Sequence, residues 1–80
     1  MKFIRVLKAM KVTKKETYDY KGTIINYSEH ENEDGTQWYH VFINGEYPIG
    51  IEGKTKEEVL KSAVKFLNHK KFDEMPKKIS

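Results

Sequence analysis

Histidine and carboxylate side chains are concentrated in the middle of the chain, where they could bind a metal ion or transfer protons. His30, Glu31, Glu33 and Asp34 lie close together, and His40 follows ten residues after His30. A metal ion needs such nitrogen and oxygen ligands to converge on one point, usually from rigid elements. These residues fall in a polar connection with no recognised ligand spacing. We therefore predict no metal site, and we expect His40 to be a half-buried histidine of the fold.

Sequence motifs for catalysis are missing. The chain has no G-x-S-x-G, no P-loop, no dinucleotide fingerprint and no H-E-x-x-H. The absence of cysteine excludes disulfides, thiolate metal sites and a thiol nucleophile. Ser28 and Ser62 have no base that the sequence identifies, and 80 residues leave little interior in which to desolvate a catalytic group. We therefore predict that the protein is not an enzyme and uses no cofactor.

Aromatic residues form a second group that could bind a ligand. Tyr27, Trp38, Tyr39, Phe42 and Tyr47 fall on the segments that we predict to be central strands. Aromatic side chains on a sheet can stack on the bases of single-stranded nucleic acids. A domain this short also needs such side chains for its core. We favour the core interpretation and keep base stacking as the alternative.

Charge is distributed unevenly along the chain. The net charge of +3 is divided into +6 for residues 1–15, −7 for residues 16–53 and +4 for residues 54–80. If the two ends meet in space, they form a basic surface that would attract phosphates, although the charges could equally be ordinary solubilising charges. Two features argue against a nucleic-acid partner. The middle of the chain is acidic, and Arg5 is the only arginine, the side chain that usually reads guanine. The candidate phosphate contacts are Lys2, Arg5, Lys8, Lys11, Lys61 and Lys65.

The clearest element that could position these residues is a C-terminal helix. Thr55 and Glu58 have the spacing of a capping box, and Gly53 precedes them. The apolar residues that follow have the spacing of an amphipathic helix. We predict a helix from about Lys56 to about Lys70. Its apolar stripe consists of Val59, Leu60, Ala63, Val64, Phe66 and Leu67.

A hairpin is predicted at Asn44-Gly45, because the favoured two-residue turn needs positive φ at both central positions. In that register Ile43 faces Glu46. Tyr39, Val41 and Ile43 then share one sheet face, which the N-terminal segment, a second copy of the chain or a partner would have to cover. The other face is more apolar, so we expect it to pack against the helix. It contains Trp38, His40, Phe42, Tyr47, Ile49 and Ile51.

The remaining segments complete an α+β prediction. Residues 21–28 are typical of a strand, and an acidic connection over residues 29–36 links it to the hairpin. Residues 2–12 fit a strand or a helix, and we expect residues 71–80 to form a loose basic tail. The predicted fold is a single domain over residues 1–80, with a core over about 2–70. An antiparallel sheet of three to four strands packs on one C-terminal helix (β-β-β-β-α, or α-β-β-β-α if the N-terminal segment is helical).

The order of strands, turns and helix predicted for the second half of the chain has counterparts in known families. The segment from Tyr39 to Gly45, followed by glycines and a helix that opens at Lys56, resembles the second half of a double-stranded RNA-binding domain. Glu57 and Leu60 stand where that family has further lysines. The outline is also similar to small antitoxin domains and to the N-terminal sheets of some mobile-element integrases. Because three families share it, we transfer no functional residue from any of them.

Two functional hypotheses follow. The first is a small cytoplasmic protein, from a bacterium, phage or mobile element, that binds a host or defence protein as an inhibitor or adaptor. The bias toward lysine over arginine suggests such a source, and no segment is apolar enough to cross a membrane. A homodimer could use the same sheet face, and the alternative is the nucleic-acid-binding module described above. The candidate protein-binding residues are Tyr39, Val41, Ile43, Glu31, Glu33 and Asp34.

Overall fold

The computed structural model describes residues 11–44 and 48–80 and has the predicted α+β architecture. A five-stranded antiparallel sheet, in the order β4-β3-β2-β1-β5, packs against one helix. No helix in the described part of the chain is long and apolar enough to span a membrane. The elements are β1 (Lys11–Tyr20), β2 (Thr23–Glu31), β3 (Gln37–Ile43), β4 (Ile49–Gly53), α1 (Lys56–Leu67) and β5 (Lys77–Lys78).

The hairpin of β1 and β2 forms the longest part of the sheet. Lys21 and Gly22 join its strands, with φ values of 49° and 94°. Positive φ at both positions is the backbone of a type I′ turn, whose twist matches that of the flanking strands. The strand expected at residues 21–28 therefore begins after this turn, and β2 continues through Glu31 into the region expected to be a connection. Only residues 32–36 link β2 to β3.

The predicted hairpin of β3 and β4 is confirmed, but its predicted register is wrong. Ile43 pairs with Ile49, whereas a two-residue turn would have paired it with Glu46. The two registers differ by three residues. Because side chains alternate along a strand, an odd shift transfers all side chains of β4 to the other face of the hairpin. Ile49 and Ile51 therefore lie beside Ile43 and Val41, and not beside His40.

This register reverses the predicted assignment of the two faces. The face that packs on the helix contains Val41 and Ile43, which are almost completely buried, and the half-buried Tyr39. The prediction that these three residues form the uncovered face is wrong. Trp38, His40 and Phe42, which we expected against the helix, lie on the opposite face. The buried core consists of Tyr18, Tyr20, Ile25, Tyr27, Val41, Ile43, Val59, Leu60, Ala63 and Val64.

Helix α1 begins where the capping signal predicts. The Glu58 backbone N–H donates to the Thr55 hydroxyl at 3.1 Å, and the Glu58 carboxylate accepts from the backbone N–H of Lys54 at 3.1 Å. The helix ends at Leu67, three residues before the predicted Lys70, and positive φ values follow at positions 69 and 70. Phe66 is 54% exposed, so the apolar stripe is narrower than predicted.

The tail, expected to be loose, is attached to the sheet. Strand β5 pairs with β1, and the backbone N–H of Thr17 donates to the carbonyl of Ser80 at 2.7 Å. Pro76 is buried, and the Tyr20 hydroxyl donates to Asp73 at 2.8 Å. The tail therefore covers the outer edge of β1 at residues 17–19, which would otherwise be open to pairing with another chain.

A buried carboxylate connects the tail, the sheet and the helix. Lys56 of α1 lies 2.6 Å from the Glu16 carboxylate, Lys78 of β5 lies 3.2 Å from it, and the Tyr18 hydroxyl donates to it at 2.7 Å. The hydrogen bond from Lys56, followed by that from Tyr18, lowers the pKa of Glu16 from 4.5 to about 2. Glu16 is therefore ionised at neutral pH and joins three separate elements.

Candidate interaction surface on the open sheet face

One face of the sheet points away from helix α1. We call it the open face, because none of the described elements packs across it. This face exists because side chains alternate along each strand, so that every second residue lies on the side opposite the core. Its central residues are Lys15 and Thr17 of β1, Asn26, Ser28 and His30 of β2, and Trp38, His40 and Phe42 of β3.

Three rings form a contiguous group on the open face, which we call the His–Trp cluster. His30 and Trp38 are directly opposite each other on β2 and β3, and their rings stack with centroids 4.2 Å apart and planes 9° apart. His40 meets Trp38 edge to face, with centroids 5.7 Å apart. It meets His30 in the same way at 6.2 Å. Each ring therefore restricts the orientation of the other two.

A serine hydroxyl holds one ring of this cluster. Ser28 and His30 are two residues apart on β2, and the Ser28 Oγ lies 2.9 Å from His30 Nε2. Burial lowers the pKa of His30, and the neighbouring His40 lowers it further. His30 is therefore neutral at neutral pH, and its uncharged ring stacks on the indole of Trp38.

A groove of about 550 Å³ lies beside the His–Trp cluster. Polar side chains of β1 and β2 line it on one side, and His40 and Phe42 line it on the other. Gly50 of β4 lies close to His40, one of the groove residues, because a Cβ at position 50 would lie 2.9 Å from His40 Nε2. Glycine thus allows the His40 ring to lie against the backbone of β4. The residues that line the groove include Lys15, Thr17, Asn26, Ser28, His30, His40, Phe42 and Ser80.

The candidate protein-binding residues are not gathered on one surface. Val41 and Ile43 belong to the core, and Tyr39 packs against it. Glu31 is half-buried at the end of β2, and exposed Glu33 and Asp34 lie between β2 and β3. The Thr36 hydroxyl donates to Asp34 at 2.7 Å, and this bond is the main reason that the pKa of Asp34 is lowered. Asp34 therefore stabilises the turn in which it lies.

The candidate phosphate contacts are also dispersed. Lys11 begins β1, whereas Lys61 and Lys65 belong to α1, on the other side of the sheet from the open face. Lys61 forms an ion pair with Glu57 at 3.0 Å. The candidates Lys2, Arg5 and Lys8 lie outside the described residues. The described members of this set therefore form no common surface with the His–Trp cluster.

Metal ligands do not converge in the part of the chain that the structure describes. No three histidine, aspartate or glutamate side chains within residues 11–44 and 48–80 come close enough to hold an ion. His30 and His40 are instead members of the ring cluster, and His40 is half-buried.

Sequence reasoning missed the residues that the open face brings together. Trp38, His40 and Phe42 were grouped, but as the face that packs on the helix, whereas Ser28 and His30 were considered separately for catalysis and metal binding. The signal available in the sequence was that these residues occupy every second position along neighbouring strands. It becomes informative only once the strands are placed in the correct register.

Comparisons of the chain with protein-family models, with curated proteins and with solved structures find no match. A function for the protein therefore has to be inferred from its own residues.

Proposed function

We propose that this protein is a small, non-catalytic cytoplasmic protein that acts by docking another protein onto its open face, as an inhibitor or adaptor of a host or defence protein. One observation carries the proposal. The stacked rings of His30 and Trp38, together with Phe42, lie on a face that the helix leaves uncovered. The apolar core formed by the described residues lies on the other side of the same sheet.

The composition of the open face supports a protein partner. The centres of protein interfaces are rich in aromatic residues and poor in lysine and acidic residues. Tryptophan in particular contributes disproportionately to binding free energy. Trp38 and Phe42, which is 38% exposed, lie among serine, threonine, asparagine and histidine side chains. Uncharged polar groups of this kind cost less to desolvate than charged ones, and they can form hydrogen bonds with a partner.

The preorganisation of the His–Trp cluster is a second supporting argument. Ordering a side chain at an interface costs about 0.5–1.5 kcal/mol for a side chain with many rotamers. Trp38 is held by His30 on one side and His40 on another before any partner arrives. Docking onto these rings therefore loses little conformational entropy.

The charges of the open face argue against a nucleic-acid partner. Proteins that stack single-stranded bases on sheet aromatics also have a basic groove that follows the phosphates. Of the described lysines on the strands, Lys15 of β1 and Lys77 of β5, which pairs with Asp19, lie on the open face. Glu52 of β4 lies on the same face, opposite His40. This surface therefore has the aromatic part of a base-stacking site without its array of cations.

Affinity capture with matched variants tests the proposal. The full-length protein, its Phe42→Ser variant and its Phe66→Ser variant would each be immobilised and exposed to a bacterial lysate. Both phenylalanines are exposed, but Phe66 lies on α1. We expect a protein that is retained by the wild type and by Phe66→Ser and lost with Phe42→Ser. Retention of the same proteins by all three baits, with far-UV circular dichroism showing that each is folded, would refute docking at the open face.

A fluorescence titration separates the two classes of partner. Trp38 is the only tryptophan, so its emission reports directly on the open face. Single-stranded and duplex oligonucleotides would be added at low and at physiological salt. We expect no saturable change in emission. Saturable binding that weakens steeply with salt would show phosphate contacts and would favour the nucleic-acid-binding alternative.

A further inference from the structure

The two outer edges of the sheet differ in how they are protected from pairing with another chain. Strand β1 is paired with the tail at residues 17–19. Before residue 17 it carries Lys11, Lys14 and Lys15, and a bulge interrupts its register between Val12 and Lys14. Covering segments, lysines and bulges are devices that keep an edge strand from adding a further strand. The β1 edge is therefore protected along its length.

Strand β4 forms the other edge and lacks these devices. None of the described elements pairs with its outer side. Its residues are Ile-Gly-Ile-Glu-Gly, without a lysine, and its pairing with β3 continues without a bulge. Gly50 and Glu52 are exposed. Such an edge is a template for another strand.

The hydrogen bonds of the sheet show which backbone groups of β4 point outward. The backbone N–H of Asn44 donates to a carbonyl of β2 at 3.3 Å. The direction of these groups alternates along a strand, so Ile43, the preceding residue, turns its N–H and C=O toward β4. Its partner there is Ile49, whose groups point back toward β3. By the same alternation, the N–H and C=O groups of Gly50 and Glu52 point to the free edge.

These outward groups are complementary to those of a second copy of β4. When two copies run antiparallel with Ile51 opposite Ile51, Gly50 lies opposite Glu52 at both ends, and all the outward groups of both strands form hydrogen bonds. Centring the pairing on Gly50 would instead leave the Glu52 carbonyl facing Pro48, which has no N–H. Centring it on Glu52 would place two carboxylates side by side. The Ile51-centred register therefore fits best.

The side chains agree with this register. Ile51 lies on the helix side and is only half-buried, and the same residue of the second copy would cover its exposed part. On the open face each Glu52 lies across from Gly50, which has no side chain to oppose it. Residues that are directly opposite lie on the same face of a sheet. The two open faces therefore adjoin, and both helices lie on the other side.

We propose that the protein forms a homodimer through antiparallel pairing of its two β4 edges, centred on Ile51. This pairing joins the two five-stranded sheets into one continuous sheet. The twofold axis passes between the two Ile51 residues, perpendicular to the sheet. The inference does not depend on the proposed function, but it places two copies of the open face side by side.

Sedimentation equilibrium of the full-length protein tests whether a dimer forms. The concentrations would run from about 10 µM to about 1 mM, because a short strand pairing buries little surface and gives a weak dimer. We expect the apparent mass to rise with concentration from the monomer value of 9.5 kDa toward twice that value. A mass that stays at the monomer value throughout would overturn the inference.

Backbone amide exchange of the wild type locates the interface. The amides of Gly50 and Glu52 should exchange about fivefold more slowly when about 80% of the chains are paired. The amide of Lys15 is the control, because it shares the outward direction of Thr17 but lies before the part of β1 that the tail covers. Its exchange should not depend on concentration. A dimer in which Gly50 and Glu52 exchange as fast as in the monomer would overturn the inference.

Two substitutions at one position make the test specific. Glu52→Pro removes an N–H that pairing with β3 does not use, so the variant should fold, as prolines do at sheet edges, but remain monomeric. Glu52→Gln keeps this N–H and removes the charge, so it should dimerise at least as well as the wild type. Far-UV circular dichroism would confirm that both are folded. Dimerisation of folded Glu52→Pro as tight as that of the wild type would contradict pairing at this edge, and the exchange experiment decides if that variant does not fold.

Discussion

Replacing Glu16 by glutamine tests how the tail, the helix and the sheet are joined. Glutamine has nearly the same shape and can still accept the hydrogen bond from the Tyr18 hydroxyl, but it loses the negative charge shared by Lys56 and Lys78. The perturbation therefore removes the electrostatic part of the cluster and leaves its packing in place. We expect the free energy of unfolding to fall.

The size of this loss follows from the pKa of Glu16. A decrease from 4.5 to about 2 corresponds to about 3 kcal/mol of stabilisation if it is fully expressed. The lysine partners Lys14, Lys56 and Lys78 have side chains that are between 36% and 55% exposed. Water screens such charges, so we expect a loss of about 1–2 kcal/mol at neutral pH.

Urea unfolding at two pH values measures this effect and its sign. Because folding lowers the pKa of Glu16, its charge stabilises the protein above the unfolded-state value near 4.5, and this stabilisation disappears as the pH falls toward 2. The difference between wild type and Glu16→Gln should therefore be full at about pH 7 and small at about pH 2. Unfolding would be followed by far-UV circular dichroism, with Glu57→Gln as the control on an exposed ion pair.

Two results would refute this explanation. A difference below about 0.5 kcal/mol at neutral pH, as is usual for surface substitutions, would mean that the cluster does not stabilise the fold. A difference that persists unchanged at low pH would mean that glutamine disturbs packing and that the charge is irrelevant. The control Glu57→Gln should change stability by less than about 0.5 kcal/mol at either pH.

Two further predictions concern the core and the helix. Val41→Ala should lower the free energy of unfolding by about 1.5–3 kcal/mol, because Val41 is fully buried. Phe42→Ala, one residue away on the open face, should lower it by less than the size of the phenylalanine side chain implies, because that side chain is partly exposed. Urea unfolding of both variants measures the contrast, and an equal or greater loss for Phe42→Ala would mean that the face assignment is wrong. Thr55→Ala should cost about 1 kcal/mol through loss of the helix cap, with Thr55→Ser retaining most of the stability. Thermal unfolding would show the cap to be unimportant if the two Thr55 variants melted together at the wild-type temperature.

The parts of the fold that depend on local signals were predictable from the sequence. The N-terminus of α1 was located correctly, because the hydroxyl of Thr55 and the carboxylate of Glu58 act within one turn of the chain. The end of the helix was less predictable. His69 and Lys70 suit the negative end of a helix dipole, but in the structure they have left-handed backbone conformations beyond the helix.

The sheet depended on contacts that no local pattern determines. Asn44-Gly45 predicts a two-residue turn, but the pairing of Ile43 with Ile49 places both isoleucines on the helix side, where Ile43 is buried and Ile49 is half-buried. Strand β1 was not predicted over most of its length, because alternation of Glu16 with Tyr18 and Tyr20 places a charged residue on a core face. That position is acceptable only because lysines from other elements surround the carboxylate.

The candidate site was hidden for the same reason. The candidate residues Tyr39, Val41 and Ile43 were chosen as the face left over by an incorrect register, and the structure places that face in or against the core. The residues of the open face were all visible in the sequence. Their grouping required the pairing of His30 with Trp38 across two strands, a non-local fact.

Photo-crosslinking from the open face is the measurement that tests the central claim most directly. Phe42 would be replaced by p-benzoylphenylalanine in living cells, with the same replacement of Phe66 on α1 as the matched control. After irradiation, we expect a discrete protein adduct from position 42, resistant to nuclease, and none from position 66. Equal adducts from both positions, no adduct from position 42, or an adduct that nuclease removes would contradict docking of a protein on the open face.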